Sequence, residues 1–166
     1  MKSAHITLPV ATGDGTFLAH YSERGLAEID WPKKAGSVRR ADQTPQRGIP
    51  TKIKNWHRLT EAALKNILAG KKSKLPPLDM TGTAFQKSVW RVMQKIPPGK
   101  TKSYGEVAQA IGNPKAVRAV GSACGANPIP VLIPCHRILA ANNKLGGFGG
   151  GLEWKRKLLK SERVIL

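Results

Sequence analysis

The sequence predicts an α/β (α+β) chain in which a small N-terminal antiparallel sheet precedes a mostly helical half with a helix-turn-helix. Three observations predict it. Residues 5 to 31 hold three short β-prone runs separated by turn residues. From residue 55 onward, apolar residues return at the spacing of one helix face. Between residues 103 and 124, two short helical stretches flank a glycine-containing turn.

The elements follow in order. His5 to Val10, Thr16 to Tyr21 and Leu26 to Trp31 are the three strands, joined by turns at Thr12–Gly15 and Ser22–Gly25. His5 and His20 read as ordinary strand residues. Pro32 to Lys54 is basic, polar and poor in apolar residues, and is expected to be a long loop. Asn55 to Leu68 carries a stripe of Trp56, Leu59, Ala63, Leu64, Ile67 and Leu68, with Asn55 as its candidate N-cap and Gly70 ending it. Gly70 to Pro77 has a linker's composition, so the chain is divided into residues 1–77 and 78–166. The next helix runs from Phe85 to Ile96, capped by Thr83 and stopped by Pro97-Pro98-Gly99. Trp90 on it reads as core. Ser103 to Ile111 and Lys115 to Cys124 form the helix-turn-helix around Gly112. Gly146 to Gly151 is a loop in which backbone can approach a ligand closely; no Lys-Ser/Thr follows, so it is not a phosphate-cradling P-loop. Leu152 to Leu159 is the last helix, with Trp154, Leu158 and Leu159 inward and Lys155, Arg156, Lys157 and Lys160 outward.

A formal net charge of +18 on 166 residues favours a polyanionic partner, most often nucleic acid. The charge is uneven. Residues 81–166 hold 14 basic and 3 acidic side chains, and those acids are Glu106, Glu153 and Glu162. Two cysteines, Cys124 and Cys135, are too few for a disulfide framework or a four-ligand zinc site, and they suit a reducing interior. No metal is expected. The opening Met1–His5 lacks the apolar run of a secretory leader and no stretch reaches membrane-spanning length. A cytoplasmic location is expected (nuclear in a eukaryotic host), with no membrane partner.

The chemistry concentrates in Ile133-Pro134-Cys135-His136-Arg137-Ile138. A cysteine reacts as its thiolate, and nearby positive charge or a proton-accepting histidine generates one near neutral pH. Adjacent side chains diverge, so His136 is expected to reach Cys135 through a bridging water. The second helix of the helix-turn-helix offers only small residues besides Arg118. Two readings of it stay open: a smooth face entering a groove with one reaching arginine, or tight helix packing with Arg118 at the surface. Its lack of long polar side chains for base edges favours sequence-tolerant contact, plausibly in the minor groove.

Gly112 to Gly121, Asn127 to Arg137 and the glycines at Gly146–Gly151, in that order and spacing, closely resemble the active-site region of the O6-alkylguanine-DNA alkyltransferases, or methylated-DNA–protein-cysteine methyltransferases. The resemblance runs from about Gly82 to Glu162. It implies a cofactor-free suicide repair protein that flips O6-alkylguanine out of duplex DNA and takes the alkyl group onto Cys135, with O4-alkylthymine a second expected substrate. It implies His136 as proton acceptor, Glu162 in the last helix orienting it, and Tyr104 serving the leaving guanine. Asn127 would brace the turn before the active site, and Arg118 would fill the vacated place in the duplex. Ala116, Ala119, Gly121, Ser122 and Arg137 are the further expected DNA contacts; Phe148, Gly149, Gly150 and Gly151 would close over the base. Many family members carry tyrosine-serine at Phe148-Gly149, so a wider pocket is expected here. Cys124 reads as buried filler. For residues 1–77 only the coarse layout agrees, implying a ribonuclease-H-like arrangement; the C-terminal half would be winged-helix-like.

Cys135 separates the alkyl acceptor from its competitors. A non-catalytic lesion binder of this kind typically has tryptophan at that position. A DNA-binding regulator would use the same helices without covalent change, and a cysteine hydrolase needs a dyad geometry that adjacent residues lack. The expected partner is double-stranded DNA containing O6-alkylguanine. A monomer is expected in solution, with cooperative binding on DNA left open.

Overall fold

The computed structural model describes residues 6–32 and 47–166. The expectation for His5 and most of the basic loop expected at 32–54 lie outside the described residues.

Alternating apolar residues and two tight turns build a three-stranded antiparallel meander, β1 (Ile6–Thr12), β2 (Gly15–Tyr21) and β3 (Leu26–Asp30). Thr12 pairs with Gly15 across the first turn, and the register shifts once, between His20 and Tyr21. Leu8, Val10, Phe17, Ala19, Tyr21, Leu26 and Ile29 enter the core. The helix α1 (Thr51–Leu68) packs on β1 and β2. It begins four residues before the expected Asn55, with Pro50 at its N-cap position. Proline's restricted φ prepares a helix entry, and Ile49 and Ile53 anchor that first turn in the core.

The stretch read as a linker lies along the sheet. Leu26 N–H donates to Pro77 O and Asp79 N–H donates to Leu26 O, both at 2.8 Å, making a parallel bridge between Leu26 and Leu78.

The helical half contains α2 (Ala84–Gln94), β4 (Lys102–Ser103), α3 (Tyr104–Ala110), α4 (Val117–Gly125), β5 (Ile138–Leu139) and α5 (Leu152–Ser161). Thr83 with Gln86 and Ser103 with Glu106 form capping boxes at the starts of α2 and α3. Glu106, one of the three acids of this half, thus has a local structural task. Trp90 is buried and donates Nε1–H to Ala123 O at 2.8 Å, which locks α2 to α4. The helix-turn-helix is α3 and α4, with Gly112 between them at φ 75°. The second helix starts at Val117 rather than Lys115, because Asn113 to Ala116 closes a turn of its own. Short parallel β4 and β5 hold Lys102 opposite Ile138, just after the Cys-His-Arg run.

Candidate active site

The chain reaches Cys135 through a constrained segment. Val131 is buried at φ 72°, a left-handed conformation that a β-branched residue adopts only when its surroundings enforce it. Asn127 supplies that enforcement. Its side-chain amide donates to Ile133 O at 2.8 Å and its Oδ1 accepts from Ile129 N–H at 3.0 Å. Ile29 N–H of β3 donates to Pro128 O at 2.9 Å, tying the sheet to the same segment. Cys135–Arg137 then forms a single 3-10 turn. Successive side chains on it diverge: Cys135 borders a cavity, while His136 and Arg137 are buried.

Behind the cysteine lies a network around Glu162. This residue caps the C-terminus of α5, three positions past the expected end at Leu159, and is buried. Arg137 donates from Nε to both Glu162 oxygens (3.1 and 3.0 Å) and from Nη2 to Oε1 at 2.7 Å. Its Nη1 donates to Ile96 O. The expectation that Arg137 contacts DNA is therefore corrected: a guanidinium buried against a carboxylate and a carbonyl cannot face a phosphate. Gly99 N–H also donates to Glu162 Oε2 at 3.2 Å.

These bonds fix a protonation pattern. Burial alone would raise the Glu162 carboxyl, but hydrogen bonds and charge from His136 and Arg137 outweigh it and hold the group at about 2. An ionised carboxylate only accepts. His136 Nε2, 2.9 Å from Glu162 Oε1, must therefore carry the proton it shares. Burial lowers the His136 pKa, with Glu162 opposing, so the ring is neutral and Nδ1 bears a lone pair. That Nδ1 is buried and has no hydrogen-bond partner among the described residues. A carboxylate-oriented imidazole with a free basic nitrogen is the equipment of a general base.

Cys135 borders a cavity of about 430 Å³ together with Tyr104, Gly121, Cys124 and the loop Gly147–Gly149. Burial pushes the Cys135 thiol up, while Asn127 and the charge of Lys155 pull it down. Burial, then the nearby Cys124 and Cys135, push the Tyr104 phenol up, so it stays a proton donor. Burial takes Cys124 up to about 12, as suits a filler residue, although it also lines this cavity. Gly146 sits at φ 67°, where an added Cβ would stand 3.2 Å from the Tyr104 hydroxyl. Phe148, Gly149 and Gly150 line a second cavity of about 230 Å³, which also touches Cys135. A Cβ on Gly149 would meet open space. Gly151 lies at the N-cap of α5.

Three contributors were not legible as site residues. Trp31 stacks against Phe148 (5.5 Å, edge-on) and Trp154 (5.0 Å), and a Cβ at Gly150 would fall 2.5 Å from its ring. The sheet thereby carries part of the wall around the cysteine. Cys124 lines both cavities. Lys155, expected to point outward, is fully buried. The correction has a simple cause: its Nζ finds two carbonyls, Ile138 O at 2.6 Å and Leu145 O, so the ammonium is satisfied inside.

The face of α4 away from the core is a different surface. Val120, Ala123 and Cys124 turn inward, whereas Val117, Arg118, Ala119 and Ser122 are exposed and Ala116 and Gly121 half-buried. The packing thus takes one side of the helix and leaves Arg118 on the other. The packing reading accounts for the inward side, and Arg118 stands at the surface.

The family model "6-O-methylguanine DNA methyltransferase, DNA binding domain" matches residues 84–164. A methylated-DNA–protein-cysteine methyltransferase of Methanosarcina acetivorans is 40% identical over 150 residues, covering 89% of this chain and 92% of that protein. The chain belongs to this family. The methyltransferases of Mycolicibacterium paratuberculosis and Haemophilus influenzae are each 56% identical, over 86 and 88 residues, and the chain spans about half their length (52% and 49%). The solved O6-methylguanine methyltransferase of Mycobacterium tuberculosis superposes with a TM-score of 0.71 at 33% identity, covering 96% of this chain and 93% of that one. The same organism's OGT in complex with DNA gives a TM-score of 0.71 at 34% identity, covering 96% of this chain and 92% of that one. The three-stranded sheet followed by a mostly helical region is the fold these methyltransferases share with this chain. Among the described residues no helix is long and apolar enough to cross a membrane.

Proposed function

We propose that this chain repairs DNA by direct reversal, moving the alkyl group of O6-alkylguanine irreversibly to Cys135. One observation carries the reading. The thiol borders a base-sized cavity beside a neutral histidine whose outer nitrogen is protonated by its bond to Glu162 and whose inner nitrogen is left basic. Family membership and the DNA-bound relative support it.

The step balances without a cofactor. The Cys135 proton passes through a bridging water to His136 Nδ1, and Glu162 stabilises the imidazolium. The thiolate attacks the alkyl carbon, the S–C bond forms and the C–O6 bond breaks, leaving its electron pair on the guanine. Tyr104 donates a proton to the departing base, and the proton held by His136 passes to the Tyr104 oxygen, so that the net result is the thioether, neutral guanine, and both side chains as they began. The nucleotide must leave the stack to reach the cavity, which costs a few kcal/mol. Exposed Arg118 occupies the place it vacates, with Ala116, Ala119, Gly121 and Ser122 allowing close approach to the groove. The protein acts once, as a monomer on double-stranded DNA, and O4-alkylthymine is its second substrate. Residues 1–77 and 78–166 act as a supporting and a reacting unit.

The test is intact mass and peptide mapping after incubation with a duplex containing O6-methylguanine. A gain of one methyl group per chain, mapped to Cys135, is expected. Lesion binding with no gain would replace this reading with a lesion sensor.

A further inference from the structure

The mechanism above leaves one buried charge unused. Lys155 is 0% exposed, yet it takes part in none of the ion pairs among the described residues. A buried ammonium without a carboxylate is costly, and such charges are rarely retained without a task. Its two acceptors are informative. Ile138 directly follows the Cys135–Arg137 turn, and Leu145 opens the glycine loop that forms the opposite wall. The ammonium also lies 5.8 Å from the centre of the Phe148 ring. A single cation therefore joins the two sides of the cavity that holds the thiol.

The charges around Cys135 come from several elements. Arg137 and Glu162 face each other and neutralise one another, and His136 is neutral. Tyr104 on α3 and Cys124 on α4 are uncharged in their raised-pKa forms. Lys155 on α5 is what remains: burial pulls its own pKa down, and the cavity thiols Cys135 and Cys124 push it back up. We propose that Lys155 is a positioning residue that supplies the counter-charge of the acceptor site, favouring the Cys135 thiolate while it ties the backbone after the Cys135 turn, at Ile138, to the backbone before the glycine loop, at Leu145. This rests on Cys135 being the alkyl acceptor, as argued above. The sign of the electrostatics agrees: Lys155 draws both cavity thiols down against the burial that pushes them up. Placed behind the nucleophile, a cation also stabilises negative charge developing in the cavity.

The test follows Cys135 ionisation without DNA. The full chain and its Lys155→Arg, Lys155→Gln and Lys155→Met variants are treated with iodoacetamide across pH. Modification of Cys135 is read by peptide mapping, which separates it from Cys124, and melting temperature is read in parallel. Folded Lys155→Gln is expected to react about tenfold more slowly near neutral pH and to recover at high pH, equivalent to a rise of about one unit in the thiol pKa. Lys155→Arg should keep most of the native profile. An unchanged midpoint in a folded Gln or Met variant would overturn the proposal. So would failure of both neutral variants to fold while Arg folds, because the charge would then serve the fold alone. Normal thiol titration without methyl transfer from O6-methylguanine would instead sink the repair reading and leave this one standing.

Discussion

The floor and the rim of the cavity are built on opposite principles. On the floor, His136, Arg137, Lys155 and Glu162 are buried, and among the described residues each of their polar side-chain atoms has a partner except His136 Nδ1. On the rim, Gly121 and Gly149 border the cavity, Arg118, Ala119 and Ser122 lie exposed beside Gly121 on α4, and a Cβ on Gly149 would meet open space. The comparison separates two tasks. A proton acceptor must be held in one tautomer at one place, which burial and charge pairing achieve. On the proposed function, the α4 surface meets DNA of any sequence, and that task needs reach and a close approach, which small residues and one long arginine would provide. Mutations on the floor should thus alter chemistry and stability together, and mutations on the rim should alter neither stability nor thiol chemistry.

The largest effect is expected at the nucleophile. Cys135→Ser should abolish alkyl transfer and retain lesion binding by gel shift, because the serine hydroxyl is a far weaker nucleophile and the rim is untouched. Transfer persisting in that variant would place the acceptor elsewhere, with Cys124 next to be mapped.

Glu162→Gln attacks the floor from behind. It leaves Arg137 buried without its counter-charge, for which a loss of about 3–5 kcal/mol is typical, and it frees the His136 tautomer. Chemical denaturation should show the loss, and single-turnover kinetics a fall of about 100-fold, the scale of a general base. A variant as stable as the native chain would show that the Arg137–Glu162 pair is not holding the floor.

At the rim, Arg118→Ala should cut the transfer rate on duplex DNA by about tenfold, equivalent to about 1.4 kcal/mol of lost compensation for unstacking. It should not change iodoacetamide reactivity or the melting temperature. An effect that persists on the free modified base would contradict the assignment of Arg118 to the duplex.

Acid should act on the floor first. The Glu162 pKa is depressed in the fold, so its contribution to stability is complete above the ordinary carboxylate range and is lost as pH falls toward about 2. His136 is shifted down, so it stays a neutral acceptor somewhat below its ordinary 6.5, and transfer is lost only once pH falls through that lowered value. Single-turnover rates against pH check this, and a rate that collapses already at 6.5 would contradict it. The smallest effect is expected at Gly149→Ser. It should leave methyl transfer near native and slow transfer of bulkier O6 substituents by a few-fold, since the cavity edge is open there.

Much of this was legible because it is local. Turn residues punctuated the meander, Thr83 announced the start of one helix, and the Cys135-His136 run with Asn127 upstream marked the site. The failures occurred where long-range partners decide. Arg137 was expected as a DNA contact from the resemblance, whereas Glu162, 25 positions later, takes it inward. Lys155 was placed outside because lysine is rarely buried. Its position still carried a signal: Lys155, Leu158, Leu159 and Glu162 stand at i, i+3, i+4 and i+7, one face of a helix. The early start of α1 was hidden by the polar sequence around Ile53. Trp31 could not have been found from its own strand, since the loop it supports lies more than 100 residues away.

The central claim is that Glu162 leaves the inner nitrogen of a neutral His136 free to accept the Cys135 proton. Nitrogen-15 NMR of the histidine-labelled chain at neutral pH tests it most directly, with His136→Gln assigning the signal. The account predicts a pyrrole-like Nε2 and a pyridine-like, unprotonated Nδ1. A protonated Nδ1, whether in the opposite tautomer or in an imidazolium, would contradict it.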